Sequence, residues 1–209
     1  MSDLGDILQP VASHYAAKLA AHGATPNGVD WNSAASHELR HRQFLRLLEG
    51  SPQASVLDLG CGYGDFFRFL RASGHRGPFI GYDIVPGMIA KARDLCGEAA
   101  DRQWRVGSEP GETVDFAIAS GIFNVKGDAS HACWARYVNA TIDLLARVGR
   151  SGFAFNLLSL ASDRERRRSD LYYADAGAML TYCLEHFGRH VALLHDYGLY
   201  EFTLIVRRS

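Results

Sequence analysis

Long apolar runs, closely spaced cysteines and an excess of charge of one sign are all missing from this chain of 209 residues. Without about 18 consecutive apolar residues, a membrane-spanning helix is not expected. The four cysteines form no Cys-x-x-Cys pair, which argues against a disulfide framework or a cysteine zinc site. Because 22 Lys and Arg residues balance 23 Asp and Glu residues, a strongly basic nucleic-acid-binding surface is not expected either.

What is present is an ordinary globular composition, 47% hydrophobic and 22% charged, in a length that suits one domain. The first ten residues lack a basic segment followed by an apolar run, so no signal peptide is expected. Together with the scattered cysteines, this indicates a reduced, cytoplasmic protein.

Residues 1–52 are predicted to form an N-terminal helical cap. An Ala-rich helix over 11–22 ends before a glycine, and a loop over 24–30 contains Pro, Asn and Gly. Asn32 or Ser33 can cap a second helix that runs to about residue 49.

Residues 53–209 are predicted to form the core of the domain, with a substrate-side insertion at about 161–175. Five predicted strands alternate with predicted helices: 54–59, 78–82, 103–106, 114–119 and 152–160. Parallel strands need crossover connections, so this alternation predicts a mostly parallel sheet. The last two strands, 191–195 and 200–206, are too close in sequence for a crossover and must pair antiparallel. We therefore predict a doubly wound α/β fold, with a seven-stranded sheet whose C-terminal strand is reversed.

The most informative segment is VLDLGCGYG (56–64), in which a buried strand runs into a turn with glycines at 60, 62 and 64. Glycine lets the backbone take unusual angles and approach a ligand closely. Asp83 closes the next strand, where a carboxylate can accept hydrogen bonds from ribose hydroxyls. The spacing is GxGxG, with Asp65 where the third glycine of a dinucleotide fingerprint would lie. This combination favours a nucleotide-like cofactor over a tight turn without a ligand.

Four segments resemble the class I S-adenosylmethionine-dependent methyltransferases: VLDLGCGYG, GYDIVPGMIAKAR (81–93), VDFAIASG (114–121) and HDYGLYEFTLIV (195–206). The resemblance covers about residues 54–207. It implies a Rossmann-like core, with S-adenosyl-L-methionine as the cofactor.

The resemblance also implies a set of cofactor contacts. The glycine loop would pass under the methionine and ribose parts, and Asp83 would hold the ribose hydroxyls. Asp58 is expected to order the loop through backbone N–H groups rather than to touch the cofactor. The complete set of implied contacts comprises Gly60, Gly62, Gly64, Asp83, Ile84, Met88, Gly107, Ser108 and Ser120, and Arg40 is added on separate grounds.

Arg40 lies on the apolar side of the second predicted helix, where an arginine needs an anionic partner. Two partners remain open at this point: the carboxylate of the cofactor, or an acidic residue of the chain. Trp31, just before this helix, can close over the cofactor or substrate, or it can pack the loop.

The acceptor side of the site is predicted from polar residues that follow the strands. Methyl transfer is an in-line displacement, and a hydroxyl acceptor benefits from a general base, whereas a carboxylate oxygen needs none. His195 is the first candidate base and His131 the second, although His195 can equally be exposed or cap the hairpin. The predicted substrate contacts are Trp31, Asn124, Asn156, Tyr172, Tyr173 and Tyr197.

The charged run 163–168 is either a solvated loop or a lid that attracts an anionic substrate. No metal-binding pattern is evident, so metal-independent transfer is expected. The sequence thus predicts O-methylation of a small polar or anionic metabolite, with no nucleic-acid or membrane partner. The alternatives are an RNA or protein methyltransferase, an NAD-dependent oxidoreductase, and a non-catalytic cofactor-binding protein.

Overall fold

The computed structural model describes residues 2–31 and 33–208. Within them the helices are α1 Ser2–His22, α2 Ala34–Leu48, α3 Asp65–Ala72, α4 Pro86–Cys96, α5 His131–Val148 and α6 Ala176–Phe187. The strands are β1 Val56–Leu59, β2 Phe79–Asp83, β3 Arg102–Val106, β4 Val114–Ala119, β5 Gly149–Ser159, β6 Tyr173–Ala174, β7 Val191–Leu194 and β8 Glu201–Arg207. None of the helices in this part of the chain has the length and apolar character needed to cross a membrane.

The strands form one sheet in the order β3-β2-β1-β4-β5-β8-β7, and β6 pairs with β5 beside this path. Every pairing is parallel except those of β8, which runs antiparallel to both β5 and β7. In the first of these pairings Asn156 lies opposite Thr203. The predicted fold class is therefore confirmed. Strand β6 was not predicted from the sequence, because two residues are too few to show a periodic pattern.

Helices cover both faces of the sheet, and the central strand β1 is buried on both. Val56 belongs to the cluster that contains Phe44 of α2 and Phe66 of α3. Leu57, on the opposite face, packs in the cluster that contains Trp134 of α5. A strand buried on both sides has no polar face, which explains why β1 is a short apolar run in the sequence.

The N-terminal helices pack onto this same core. Ser33 caps α2, because its Oγ accepts a hydrogen bond from the N–H of Ser36 at 3.1 Å. Asn32, the alternative predicted cap, lies outside the described residues. Helix α1 is longer than predicted, since it begins at Ser2 and includes Pro10. Val11 of α1 is buried in the core, so this helix lies against the sheet rather than apart from it.

Candidate active site

A cavity of about 360 Å³ lies where the carboxyl ends of β1, β2 and β4 meet. In open α/β sheets this edge is where ligands bind. The floor of the cavity is the turn after β1, and its far wall includes Val11 and Tyr15 of α1. Trp31 and α2 close another side. The N-terminal helices therefore complete a cavity that the strand ends begin.

The turn after β1 has no room for a side chain at its first glycine. Gly60 has φ +80°, and a Cβ atom there would lie 2.1 Å from Cγ2 of Ile122. The N–H groups of Gly60 and Cys61 both donate to the carbonyl of Tyr82, at 2.7 and 2.9 Å. The turn is thus fixed to β2, with its backbone against the cavity.

Asp83 joins the end of β2 to this turn. Its side chain is buried, and its two oxygens accept hydrogen bonds from the N–H groups of Gly62 (2.9 Å) and Val85 (2.8 Å). Burial raises the pKa of Asp83 to about 6, and these two hydrogen bonds act in the opposite direction. An ionised carboxylate has about four lone-pair sites, so two remain for donors in the cavity.

Asp58 is a second buried acid in the cavity wall. Burial raises its pKa to about 8, and the nearby charge of Asp83 acts in the same direction. The hydrogen bonds that we expected from the loop N–H groups to Asp58 are not found among the described residues. Asp58 is therefore a buried acid that faces the cavity, and it does not tie the loop in place.

Eight of the ten predicted cofactor contacts line the cavity: Gly60, Gly62, Asp83, Ile84, Met88, Gly107, Ser108 and Ser120. The other two, Gly64 and Arg40, are not among the lining residues. Gly64 instead caps the N-terminus of α3, with φ +83°. Lining the cavity is compatible with cofactor contact, and the individual contacts stay predictions.

Ser120 offers an unused hydrogen-bonding group. Its Oγ is buried and has no hydrogen-bond partner among the described residues. Buried hydroxyls are normally paired. The Ser120 hydroxyl is thus available to a polar group of a bound ligand.

Arg40 has a partner within the chain. Its Nε donates to Oε2 of Glu201 at 2.8 Å, and both side chains are buried. Its guanidinium also lies 3.8 Å from the centre of the Trp31 ring. Of the two partners left open by the sequence, the structure therefore gives Arg40 the acidic residue. Through this contact Arg40 supports Trp31, whose indole ring is close enough to Gly121 to leave no space for a Cβ atom there.

Among the predicted substrate contacts only Trp31 lines the cavity. Asn156 lies behind the wall, where its Oδ1 accepts from the N–H of Gly121 at 2.7 Å and its Nδ2 donates to Glu201 at 3.2 Å. The hydroxyl of Tyr197 bonds to Glu201 and Thr203. The remaining three are not lining residues either: Asn124, Tyr172 and Tyr173. Asn156 and Tyr197 thus support the wall from behind.

The two predicted general bases lie outside the cavity wall. His195 and His131 are both exposed. The ring of His131 packs 4.8 Å from that of Tyr172, and the ring of His195 lies 5.9 Å from that of Phe202. Their assignment as bases stays a prediction.

Two other histidines, His37 and His41 of α2, line the cavity instead. Burial lowers the pKa of His37 to about 4 and that of His41 well below its ordinary value, so both rings are neutral at pH 7. Nδ1 of His37 lies 3.3 Å from Oδ2 of Asp65. This cluster was not predicted from the sequence, although the spacing of four residues on a predicted helix already places both rings on one face.

Comparison with known proteins agrees with this fold. Residues 31–195 match a family described as a methyltransferase domain. A relative from Mycobacterium tuberculosis, Rv1506c, is provisionally named a methyltransferase. It is 38% identical over 165 residues, which cover 79% of this chain and 99% of the relative.

Solved structures share the fold at low sequence identity. The N-methyltransferase NodS from Bradyrhizobium japonicum, in complex with S-adenosylhomocysteine, superposes with a TM-score of 0.68. It is 18% identical, with 94% of this chain and 97% of NodS covered. Magnesium protoporphyrin IX methyltransferase from Synechocystis gives a TM-score of 0.65 at 15% identity, with 84% of each chain covered.

Proposed function

The chain belongs to the methyltransferase domain family, and on that premise we propose that it methylates an oxygen atom of a small polar or anionic molecule. S-adenosyl-L-methionine is the methyl donor, and when bound it supplies a methyl group on a sulfonium sulfur that is open to in-line attack. Family membership favours methyl transfer over the hydride transfer of an NAD-dependent oxidoreductase.

The residues of the cavity fit this donor. Asp83 retains two lone-pair sites for the ribose hydroxyls after accepting its two backbone hydrogen bonds. The buried Ser120 hydroxyl supplies a further polar contact. Ile84 and Met88 give an apolar wall beside Asp83 for a flat ring. The turn at Gly60 brings backbone, without side chains, against the ligand.

The size and closure of the cavity carry the proposal of a small acceptor. A volume of about 360 Å³ is near the lower end of the range of roughly 300–1,000 Å³ for small-molecule sites. Helix α1 and Trp31 line the cavity beside the strand ends, which reduces the open surface that a macromolecular acceptor would need there. His37, His41 and Asp65 add polar groups to the cavity wall, which suits an acceptor with a polar or charged group.

Radiolabelled S-adenosylmethionine tests the acceptor class directly. The purified enzyme is incubated separately with the dialysable small molecules, the total RNA and the total protein of a cell extract. We expect label in the small-molecule fraction alone, and we expect the Asp83→Ala variant to transfer none. Mass spectrometry of the labelled product then identifies the methylated atom. Label in RNA or protein would refute the small-acceptor proposal, and an N-methylated product would refute transfer to oxygen.

A further inference from the structure

Three side chains of metal-ligand type meet in the wall of the cavity. His37 and His41 lie one turn apart on α2, and Asp65 is the first residue of α3. Each offers one ligand atom, and the three atoms lie within 4.8 Å of one another. The two imidazole rings have centroids 4.4 Å apart. Both histidines are buried, and all three residues line the cavity.

The expectation that the sequence holds no metal-binding pattern overlooked one segment, because residues 37–41 read His-Glu-Leu-Arg-His. The pattern H-E-x-x-H on a helix places two imidazoles on one face, as in many zinc sites. Its glutamate acts as a general base in metalloproteases, but here Glu38 pairs with Arg42 at 2.7 Å on the exposed side of α2. The pattern therefore supplies ligands in this chain, without the base of a protease.

We propose that His37, His41 and Asp65 bind a divalent transition-metal ion in the wall of the cavity. Two imidazoles and one carboxylate form a recurrent ligand set for zinc and for ferrous iron, and they leave coordination positions open. Those positions would face the cavity, where an oxygen of the acceptor can bind. This acceptor role rests on the proposed function, whereas the binding of the metal does not.

The surroundings of the cluster favour an added cation. Asp83, whose pKa of about 6 leaves it ionised at pH 7, lines the same cavity as Asp65, so the wall carries a second carboxylate. Two arginines lie beside the cluster, and both have carboxylate partners: Arg40 pairs with Glu201, and Arg68 lies 3.7 Å from Oδ1 of Asp65. The other oxygen of Asp65, Oδ2, is the one that faces His37. A buried cation needs such an excess of anionic ligands nearby.

The alternative role for the histidines is aromatic packing. His41 contacts the rings of Phe66 and Phe69, at centroid distances of 5.2 and 5.3 Å. Packing needs a ring but no nitrogen, and a phenylalanine at position 41 would preserve it. No hydrogen bond to a nitrogen of His41 is found among the described residues, so the ring has a free lone pair. Replacing His41 by Phe thus separates the two roles.

Cobalt and zinc titrations of the full chain, without donor or acceptor, test the proposal. We expect one equivalent of Co²⁺ to give a visible absorption band that Zn²⁺ displaces. His41→Phe and Asp65→Asn should weaken Zn²⁺ binding by at least about 100-fold. Glu38→Gln is the matched control on the same helix and should leave the affinity unchanged. Circular dichroism checks that each variant is folded.

Absence of saturable Zn²⁺ binding, or binding that His41→Phe leaves intact, would overturn the metal site and assign the cluster to packing. Because these titrations contain no donor or acceptor, such a failure leaves the proposed methyl transfer standing. Transfer of label to RNA or protein would in turn leave the metal site standing.

Discussion

The two edges of the parallel sheet hold their carboxylates in opposite ways. At the carboxyl edge, Asp58 and Asp83 face the cavity, and burial raises the pKa of both. At the amino edge, the side chain of Asp115 accepts from the N–H and the hydroxyl of Ser55, at 2.8 and 2.7 Å, and from Arg150 at 2.9 Å. The Ser55 hydrogen bonds, with help from Arg150, hold the pKa of Asp115 below its usual value.

This difference separates stability from function within one sheet. A carboxylate with a full set of donors stabilises the folded chain in its ionised form. A buried carboxylate with spare lone pairs destabilises the folded chain, and such groups concentrate where a ligand binds. The carboxylate at the amino edge therefore stabilises the fold, and the buried carboxyl groups at the carboxyl edge keep lone pairs free for a bound ligand.

The largest expected effect is that of Asp83→Ala on cofactor binding. The variant loses a carboxylate that would accept from two ribose hydroxyls, and hydrogen bonds to charged groups contribute about 1.5–3 kcal/mol each. We expect calorimetry to show binding of S-adenosylhomocysteine weakened by at least about 100-fold. Asp115→Ala, the matched control at the other edge, should bind as the wild type does. An equal loss of affinity in both variants would contradict a specific role of Asp83 in cofactor binding.

Asp115→Ala should instead reduce stability. The substitution removes three accepted hydrogen bonds and leaves the N–H of Ser55 without its partner. We expect urea denaturation to show a free energy of unfolding lower by about 2 kcal/mol at pH 7. Asp83→Ala also leaves the N–H groups of Gly62 and Val85 without their acceptor, but it relieves the burial of a carboxyl group. Because these two effects oppose each other, we expect a smaller loss for Asp83→Ala. A larger loss for Asp83→Ala would mean that its role is mainly structural.

The pH dependence of binding should report the raised pKa of Asp83, about 6. Below that pH the carboxyl group binds a proton and loses acceptor capacity. Calorimetry should show the dissociation constant of S-adenosylhomocysteine rising about tenfold per pH unit below pH 6. Asp83→Asn should remove most of this dependence. A flat wild-type profile between pH 5 and 7 would contradict the assignment of Asp83 to the ribose.

The same shifts give stability contributions of opposite sign at the two edges. Because the folded pKa of Asp83 lies above its unfolded value, the folded state binds the extra proton, and its contribution to stability improves as pH falls through 6. Asp115 has a lowered folded pKa, so its contribution is present above the unfolded value near 3.8 and is lost as pH falls through the folded one.

Most of the predicted cofactor contacts line the cavity, and they could be grouped from the sequence because they lie in neighbouring segments of the chain. Gly60 follows β1, and Asp83 is the last residue of the neighbouring strand β2. The spacing of strand, turn and helix in the sequence predicts both positions. The acceptor side depends on contacts that are distant in sequence. The partner of Arg40 is Glu201, 161 positions away, and only the packing of α2 against β8 selects it.

Strand order explains where the two predicted bases fall. The end of β7 is indeed a strand end, but β7 is the outermost strand of the sheet, with β8, β5 and β4 between it and β1. Local sequence does not reveal this order, so His195 could be expected near the glycine turn. The face of α2 that carries His37 and His41 was readable from the spacing, whereas its contact with Asp65 required the packing of α2 against α3.

The smallest expected effect concerns the arginines beyond β5, at the carboxyl edge. Arg166 and Arg168 are exposed and lie near Asp163 and Asp170, at 3.7 and 2.5 Å, which leaves a weak local positive field. If the acceptor is anionic, Arg166→Gln should lower kcat/KM by about twofold at low salt, and salt should remove the difference. Arg150→Gln, at the amino edge, should leave kcat/KM unchanged while lowering stability through Asp115. A kcat/KM that does not change with salt would mean that these arginines do not attract the acceptor, and that only charges inside the cavity act on it.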